Sequence, residues 1–185
     1  MDTYKVKWTQ LQTEIFRFFC IKAGQNLNQR GIAKALKKSP TAIANAIKGL
    51  EKEGILNVEK HKEMNLVSIE FNRDNKRAVE LKRVENLKLI YESNIVKFLH
   101  NEFPGSTIIL FGSYSLGEDV ITKESKSDLD IAIIGSKEKE INLSSFEKKL
   151  ERIIILNFYP SFKEIHKNLK NNILNGIVLS GSIEL

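Results

Sequence analysis

The sequence predicts an α+β protein in which helices and a hairpin precede a small mixed sheet with helices packed against it. Apolar residues recur at helical spacing near the amino terminus, as at Leu11, Ile15 and Phe19. Two apolar runs rich in β-branched residues, 107–111 and 131–134, are typical of buried strands. The length of 185 residues allows one ordinary domain or two small ones.

Three helices are predicted in the first part of the chain, each from a start signal. Thr9 with Gln12 three positions later is a capping-box pattern. Asn28 is the candidate cap of the second helix. Ser39 followed by Pro40 starts the third, because proline suits the first helical position.

The third helix is predicted to have an apolar side and a polar side. Its polar residues recur at i, i+4, i+7 and i+11, and they are Thr41, Asn45, Lys48 and Lys52. Two strand candidates follow, at 56–58 and 66–69. The polar tip between them carries Lys60 and Lys62, so the hairpin is basic.

Three helices followed by a basic hairpin resemble the winged helix-turn-helix family of DNA-binding domains, over residues 1–73. The resemblance implies that the third helix enters the major groove and that the hairpin touches the DNA backbone or minor groove. Residues 24–62 hold eight Lys and Arg against three Asp and Glu, which favours contact with phosphates. Two alternatives stay open: some winged helices contact only protein, and helix lysines are often merely solvated.

The net charge is unevenly divided along the chain. Residues 1–100 contain 19 Lys and Arg and 11 Asp and Glu, a net charge of +8. Residues 101–185 contain 10 Lys and Arg and 12 Asp and Glu, a net charge of −2. We therefore expect a polyanion such as DNA to meet the first half.

Composition argues against a membrane protein. No apolar run approaches the roughly 20 residues that a membrane span requires. Residues 1–5 have no apolar signal core, so we expect the protein in the cytoplasm. Cys20 is the only cysteine and can form no internal disulfide.

One long helix is predicted over residues 74–101, with Asp74 as its cap. Apolar residues form a stripe along it that includes Leu87 and Tyr91. Its basic residues, among them Lys82, either extend the DNA-contacting surface or are solvated. A coiled-coil homodimer seam is an alternative use of the stripe, although the clean spacing lasts only about two heptads.

The most informative motif links the two predicted buried strands. Gly112 and Ser113 close the strand 107–111, and Asp128 and Asp130 begin the next one. Side chains alternate along a strand, so the two carboxylates point the same way, about 6.5–7 Å apart along the backbone. Such charges repel unless a cation lies between them, and Mg²⁺ prefers one or two carboxylates together with phosphates. Gly112 lets the backbone approach a ligand, and its N–H and that of Ser113 suit phosphate oxygens.

This pattern resembles the nucleotidyltransferase superfamily related to DNA polymerase beta, especially its small prokaryotic members. The resemblance covers about residues 85–185 and implies a domain at 102–185. It implies Mg²⁺ as cofactor, a nucleoside triphosphate as substrate, and transfer of a nucleoside monophosphate to an acceptor hydroxyl. By the same resemblance, Asp128 and Asp130 are the catalytic and metal-binding residues, while Gly112 and Ser113 bind the nucleotide phosphates.

Two features depart from the family pattern. The loop 114–127 is a few residues longer than in typical small members, and Leu116 stands where an arginine often does. Active members place a third carboxylate on a later strand, but the candidate strand 152–159 contains no acid. Its Asn157 offers a carbonyl oxygen to a metal but accepts no proton. We therefore expect weak activity, or triphosphate binding without turnover.

The remaining elements complete a small mixed sheet. Capping-box patterns predict helices at 144–151 and 161–174. The apolar run 152–159 and a short one at 176–179 are predicted strands.

Three functions are compatible with this organisation. The first is a DNA-binding, transcription-regulating protein whose second domain is an active or degenerate nucleotidyltransferase. The second is an enzyme in which the winged helix positions a macromolecular acceptor. The third is an antitoxin-like nucleotidyltransferase that modifies a partner protein, as small members of the superfamily do.

Overall fold

The computed structural model describes residues 7–61, 66–121 and 127–183. The chain divides into two compact units, Met1–Ala78 and Val79–Leu185. Each unit has its own sheet and its own apolar core. No helix in these described ranges is both long and apolar enough to cross a membrane.

The N-terminal unit has the element order of a winged helix. Its elements are α1 (Gln10–Ile21), β1 (Leu27–Asn28), α2 (Gln29–Leu36), α3 (Pro40–Lys52), β2 (Leu56–His61) and β3 (Leu66–Phe71). The strands form an antiparallel sheet in the order β1-β3-β2, with Leu56 opposite Phe71 and Leu27 opposite Ile69. The two-residue strand β1 has no signal of its own in the sequence.

The predicted start of each helix in this unit is confirmed. Thr9 and Gln12 form both hydrogen bonds of a capping box at α1. Asn28 Oδ1 accepts from the Gly31 N–H at 2.7 Å, and Ser39 Oγ accepts from the Ala42 N–H at 3.2 Å. These side chains bond amides that the first helical turn leaves without a partner.

The predicted continuous helix over 74–101 is wrong, because two helices occupy this part of the chain. α4 spans Lys76–Ser93 and α5 spans Ile95–Glu102, with Asn94 between them in the left-handed conformation (φ 67°). The Ser93 hydroxyl donates to the Ile90 carbonyl at 2.7 Å and accepts from the Ile95 N–H at 3.2 Å. It thus bonds backbone groups on both sides of the break.

The start of α4 also differs from the prediction. Asn75, rather than Asp74, bonds the first turn, since its Oδ1 accepts from the Ala78 N–H at 3.3 Å. Asparagine and aspartate cap equally well, so the sequence alone does not separate these neighbours.

The C-terminal unit contains a four-stranded mixed sheet in the order β6-β5-β4-β7. β4 is antiparallel to both β5 and β7, and β5 is parallel to β6. Its elements after α5 are β4 (Thr107–Phe111), α6 (Gly112–Leu116), β5 (Asp128–Ile134), α7 (Ser144–Leu150), β6 (Ile153–Tyr159), a 3₁₀ turn (Phe162–Glu164), α8 (Lys167–Leu174) and β7 (Ile177–Ser180).

The central strands of this sheet are buried, as their continuous apolar runs predict. Every residue of β4 is buried, and so are the last four of β5. On one face, Phe111 and Ala132 pack with Phe162, Ile165 and Ile173 from the segment after β6. That segment is not one helix over 161–174, because the backbone between the 3₁₀ turn and α8 is extended at Ile165.

Candidate functional site

Gly112 and Asp130 are direct neighbours, because β4 and β5 are antiparallel with Phe111 opposite Asp130. A Cβ atom added to Gly112 would lie 2.7 Å from Asp130 Oδ2, inside any normal contact distance. Gly112 also has φ +72°, a backbone conformation that side chains disfavour. The backbone conformation therefore favours glycine here, and the absence of a side chain leaves room for the Asp130 carboxylate.

The two aspartates of β5 lie on one face of the strand, on either side of buried Leu129. Asp128 is exposed, while Asp130 is half-buried. Burial, and secondarily the negative charge of Asp128, raises the pKa of the Asp130 carboxyl above its ordinary value. Burial and the charge of Asp130 raise the pKa of Tyr159 as well. A bound cation would relieve this concentration of negative charge.

Gly112 and Ser113 begin a short helix, α6. This helix includes Tyr114, the residue at which the sequence predicts the start of a loop. Their N–H groups belong to the first turn, where a helix has no internal acceptors for its amides. Ser113 is exposed. The helix ends at Gly117, where an added Cβ would lie 2.6 Å from the Val79 carbonyl oxygen and 2.8 Å from the backbone nitrogen of Arg83. α6 is thus held directly against the backbone of α4.

Two isoleucines occupy the positions of β6 that face the aspartates. In the parallel register of β5 and β6, Ile153 pairs with Asp128 and Ile155 pairs with Asp130. Their exposed fractions are 42% and 38%, so both are open to solvent. Asn157 pairs with Ala132, two residues further along the strand. Among the residues that the structure describes, no group of three or more His, Cys, Asp or Glu is placed to hold a metal.

Residues 92–180 match the family model of the nucleotidyltransferase domain. This part of the chain is a nucleotidyltransferase domain. The match runs from just before α5 to the end of β7, so it includes Gly112, Ser113 and both aspartates. The comparison with curated proteins gave no match to the chain.

Several solved structures share part of the fold with the N-terminal half of the chain. ZitR from Lactococcus lactis has 21% identity and a TM-score of 0.41, over 56% of this chain and 67% of that chain. The adhesin competence repressor AdcR from Streptococcus pyogenes has 24% identity and a TM-score of 0.42, over 55% and 71%. The MepR–DNA complex from S. aureus has 18% identity and a TM-score of 0.37, over 51% and 81%.

The C-terminal unit contains a buried charge cluster around Asp119 that the sequence did not reveal. Lys82, Asp119 and Arg152 are each 1% exposed. The Asp119 carboxylate accepts hydrogen bonds from Lys82 Nζ, from Asn86 Nδ2 at 2.7 Å, and from Arg152 Nε and Nη2 at 3.0 and 2.5 Å. The prediction that Lys82 is either solvated or part of a DNA-contacting surface is therefore wrong.

The Asp119 cluster also holds α6 in place. Asn86 Nδ2 donates to the Tyr114 carbonyl at 2.9 Å, and the Arg152 guanidinium lies 5.8 Å from the centre of the Tyr114 ring. Tyr114 is the third residue of α6, two positions after Gly112. The cluster therefore connects α4, α6 and the start of β6 around the Gly-Ser motif.

The predicted DNA-contacting residues of the N-terminal unit lie on its surface. Lys60 of β2 is exposed. The predicted polar residues of α3 are exposed as well: Thr41, Asn45, Lys48 and Lys52. The opposite side of α3 is buried through Ile43, Ile47 and Leu50. Lys62 lies outside the described residues. The contact of these residues with DNA stays a prediction.

Proposed function

We propose that the nucleotidyltransferase domain binds a Mg²⁺–nucleoside triphosphate at Asp128, Asp130, Gly112 and Ser113. The observation that carries this proposal is the contact between Gly112 and Asp130, where a Cβ would stand 2.7 Å from the carboxylate. This contact places the carboxylate of Asp130, a group that can bind a metal ion, beside the backbone of Gly112, which a phosphate can approach. Residues that lie 18 positions apart in the sequence thus form one small site.

The donor set fits Mg²⁺, which is commonly held by one or two carboxylates while the remaining ligands are phosphates and water. Asp128 and Asp130 would hold it. When bound, Mg²⁺ offsets the negative charge of the triphosphate and of its leaving group. The raised pKa of Asp130 supports this role, because a carboxylate destabilised by its surroundings gains most from a cation.

The reaction we propose is slow transfer of a nucleoside monophosphate to an acceptor hydroxyl. The acceptor oxygen bonds to the α-phosphorus, the bond from that phosphorus to the bridging oxygen breaks, and pyrophosphate leaves. Asp128, Asp130 and the first turn of α6 would orient the triphosphate. The residue facing Asp130 on β6 is Ile155, which accepts no proton, so the hydroxyl proton would pass to water. Turnover is therefore expected to be weak.

A labelling experiment tests the transfer. The full chain is incubated with Mg²⁺ and α-³²P-labelled nucleoside triphosphates, alone and with nucleic acid or protein acceptors. We expect slow labelling of an acceptor or of the chain itself. The double variant Asp128→Asn, Asp130→Asn should lose it, whereas Glu138→Gln, Glu140→Gln removes two exposed acids elsewhere in the domain and should not. Undiminished labelling by the aspartate variant would refute the assignment.

We further propose that the N-terminal unit binds DNA through α3 and the β2–β3 hairpin. The support is the exposed polar side of α3 together with the eight Lys and Arg against three Asp and Glu in residues 24–62. Contacts between lysines and phosphates release counterions, so binding of the full chain to duplex DNA should weaken steeply as salt is raised. Binding that is absent at about 50 mM salt would contradict this proposal.

A further inference from the structure

A hollow of about 520 Å³ opens beside the Gly-Ser motif, within the C-terminal unit. Three helices line it: α4 through Arg83, α6 through Gly112 and Ser113, and α8 through Asn172. Asn175, which directly follows α8, also borders it. Its volume lies in the range of small-molecule sites, about 300–1,000 Å³. The hollow is therefore large enough for several phosphate groups.

Gly112 connects the hollow to the aspartates. It borders the hollow and is also in direct contact with Asp130, whereas neither aspartate borders the hollow itself. A chain of phosphates held at Asp130 can therefore continue past Gly112 into the space between α6 and α8. The part of the ligand that enters the hollow would then be the terminal phosphates.

Among the residues that the structure describes, one cationic side chain lines the hollow, that of Arg83. This side chain is exposed, and the described part of the chain shows it in no hydrogen bond or ion pair. A guanidinium offers planar paired donors that match phosphate oxygens, and Asn172 and Asn175 offer further amide donors. Glu118 also borders the hollow and would repel an anion, so the charge of Arg83 decides whether an anion is accepted.

We propose that Arg83 binds the terminal phosphate of the nucleotide and thereby selects triphosphates over monophosphates. This inference rests on the proposed nucleotide site and adds a specificity-determining residue from α4. A monophosphate bound at the aspartates would not extend past Gly112, so it would gain nothing from Arg83. The sequence offers no sign of this role, since Arg83 precedes Gly112 by 29 residues on another element.

Calorimetric titration of the full chain tests the proposal, using each ribonucleoside triphosphate and the matching monophosphate with Mg²⁺. Arg83→Gln should weaken triphosphate binding about 10-fold or more, as expected for a lost charge-assisted hydrogen bond, and change monophosphate binding less than about 2-fold. Arg83→Lys should retain part of the affinity. Lys88→Gln, which removes an exposed charge from the same helix, is the matched control and should bind like the unmodified chain.

Two outcomes would overturn the proposal, and they differ in what else they exclude. If Arg83→Gln and Lys88→Gln bind triphosphates equally well, the role of Arg83 is refuted while the nucleotide site stands. If the unmodified chain binds no nucleotide, the proposed nucleotide site falls and the role of Arg83 with it. Because Arg83 is exposed, Arg83→Gln should fold normally, and its melting temperature should match that of Lys88→Gln.

Discussion

The two units of the chain place their charges in opposite ways. In the N-terminal unit the described buried side chains are apolar, and the polar residues of α3 are exposed. In the C-terminal unit Lys82, Asp119 and Arg152 lie in the interior. Exposed charges are screened and act nearly independently, whereas buried charges depend on one another. Substitutions of charged residues should therefore have small, additive effects on stability in the first unit. In the second unit, substitutions within the buried charge cluster should have large, coupled effects.

Removing the charge of Asp119 should strongly destabilise the C-terminal unit. Asp119→Asn leaves Lys82 and Arg152 buried without their carboxylate, and losing one partner of a buried ion pair costs about 3–5 kcal/mol. Hydrogen exchange of peptides from residues 79–185 would measure this decrease in the free energy of unfolding. Glu138→Gln, on the surface of the same unit, should change it by less than about 0.5 kcal/mol. Equal protection in the two variants would contradict the contrast.

Adding a carboxylate to β6 should increase transfer activity. Ile155 pairs with Asp130 and is 38% exposed, so Ile155→Asp places a third acid on the same face at little cost in packing. A positioned base contributes about 10²–10⁴-fold in favourable cases, and we expect a gain of about 10-fold in the labelling rate. Ile155→Asn has the same size without the charge and should give no gain. If both variants have the same rate, the missing acid does not limit the reaction.

Exposed lysines of α3 should contribute separately to DNA binding. Lys48→Ala, Lys52→Ala should weaken binding to duplex DNA and make the slope of log affinity against log salt shallower by about 1.8, or about 0.9 for each phosphate that a lysine no longer neutralises. Fluorescence anisotropy over a salt series measures both quantities. Lys88→Ala, Lys97→Ala removes the same charge from the second unit and should leave the slope unchanged. If both double variants make the slope shallower by the same amount, the net charge of the chain, rather than contact by α3, determines the affinity for DNA.

The smallest expected effect is the pH dependence caused by Asp130. Its pKa is raised in the folded chain, so ionised Asp130 lowers stability; this cost is absent below the ordinary value of 3.8 and complete above the folded pKa. Asp130→Asn should therefore raise the melting temperature of the nucleotide-free protein at pH 7. The gain should shrink as the pH falls toward 4. Thermal unfolding between pH 4 and 8 measures it, and a variant that is less stable at pH 7 would contradict this account.

Local patterns were sufficient for much of the fold. Thr9, Asn28 and Ser39 each cap a helix through an amide three residues away, so their role can be predicted from a short window. The strands 107–111 and 131–134 were evident from their apolar runs. Alternation along a strand was enough to place Asp128 and Asp130 on one face.

The features that sequence reasoning missed depend on contacts between distant residues. Asp119 meets Lys82 and Arg152 across 37 and 33 positions, and each looks like an ordinary solvated charge in its own window. The break at Asn94 interrupts a stretch with regular helical spacing, and it depends on the left-handed backbone there. The hollow beside Gly112 is formed by three helices, so no single motif indicates it.

Calorimetric titration of nucleoside triphosphates into the full chain, with and without Mg²⁺, tests the joint site of Asp128, Asp130 and Gly112 most directly. We expect binding that requires Mg²⁺ and is lost in Asp128→Asn, Asp130→Asn, while Glu138→Gln, Glu140→Gln binds normally. Binding that is equally strong in the aspartate variant, or in the absence of Mg²⁺, would contradict this expectation.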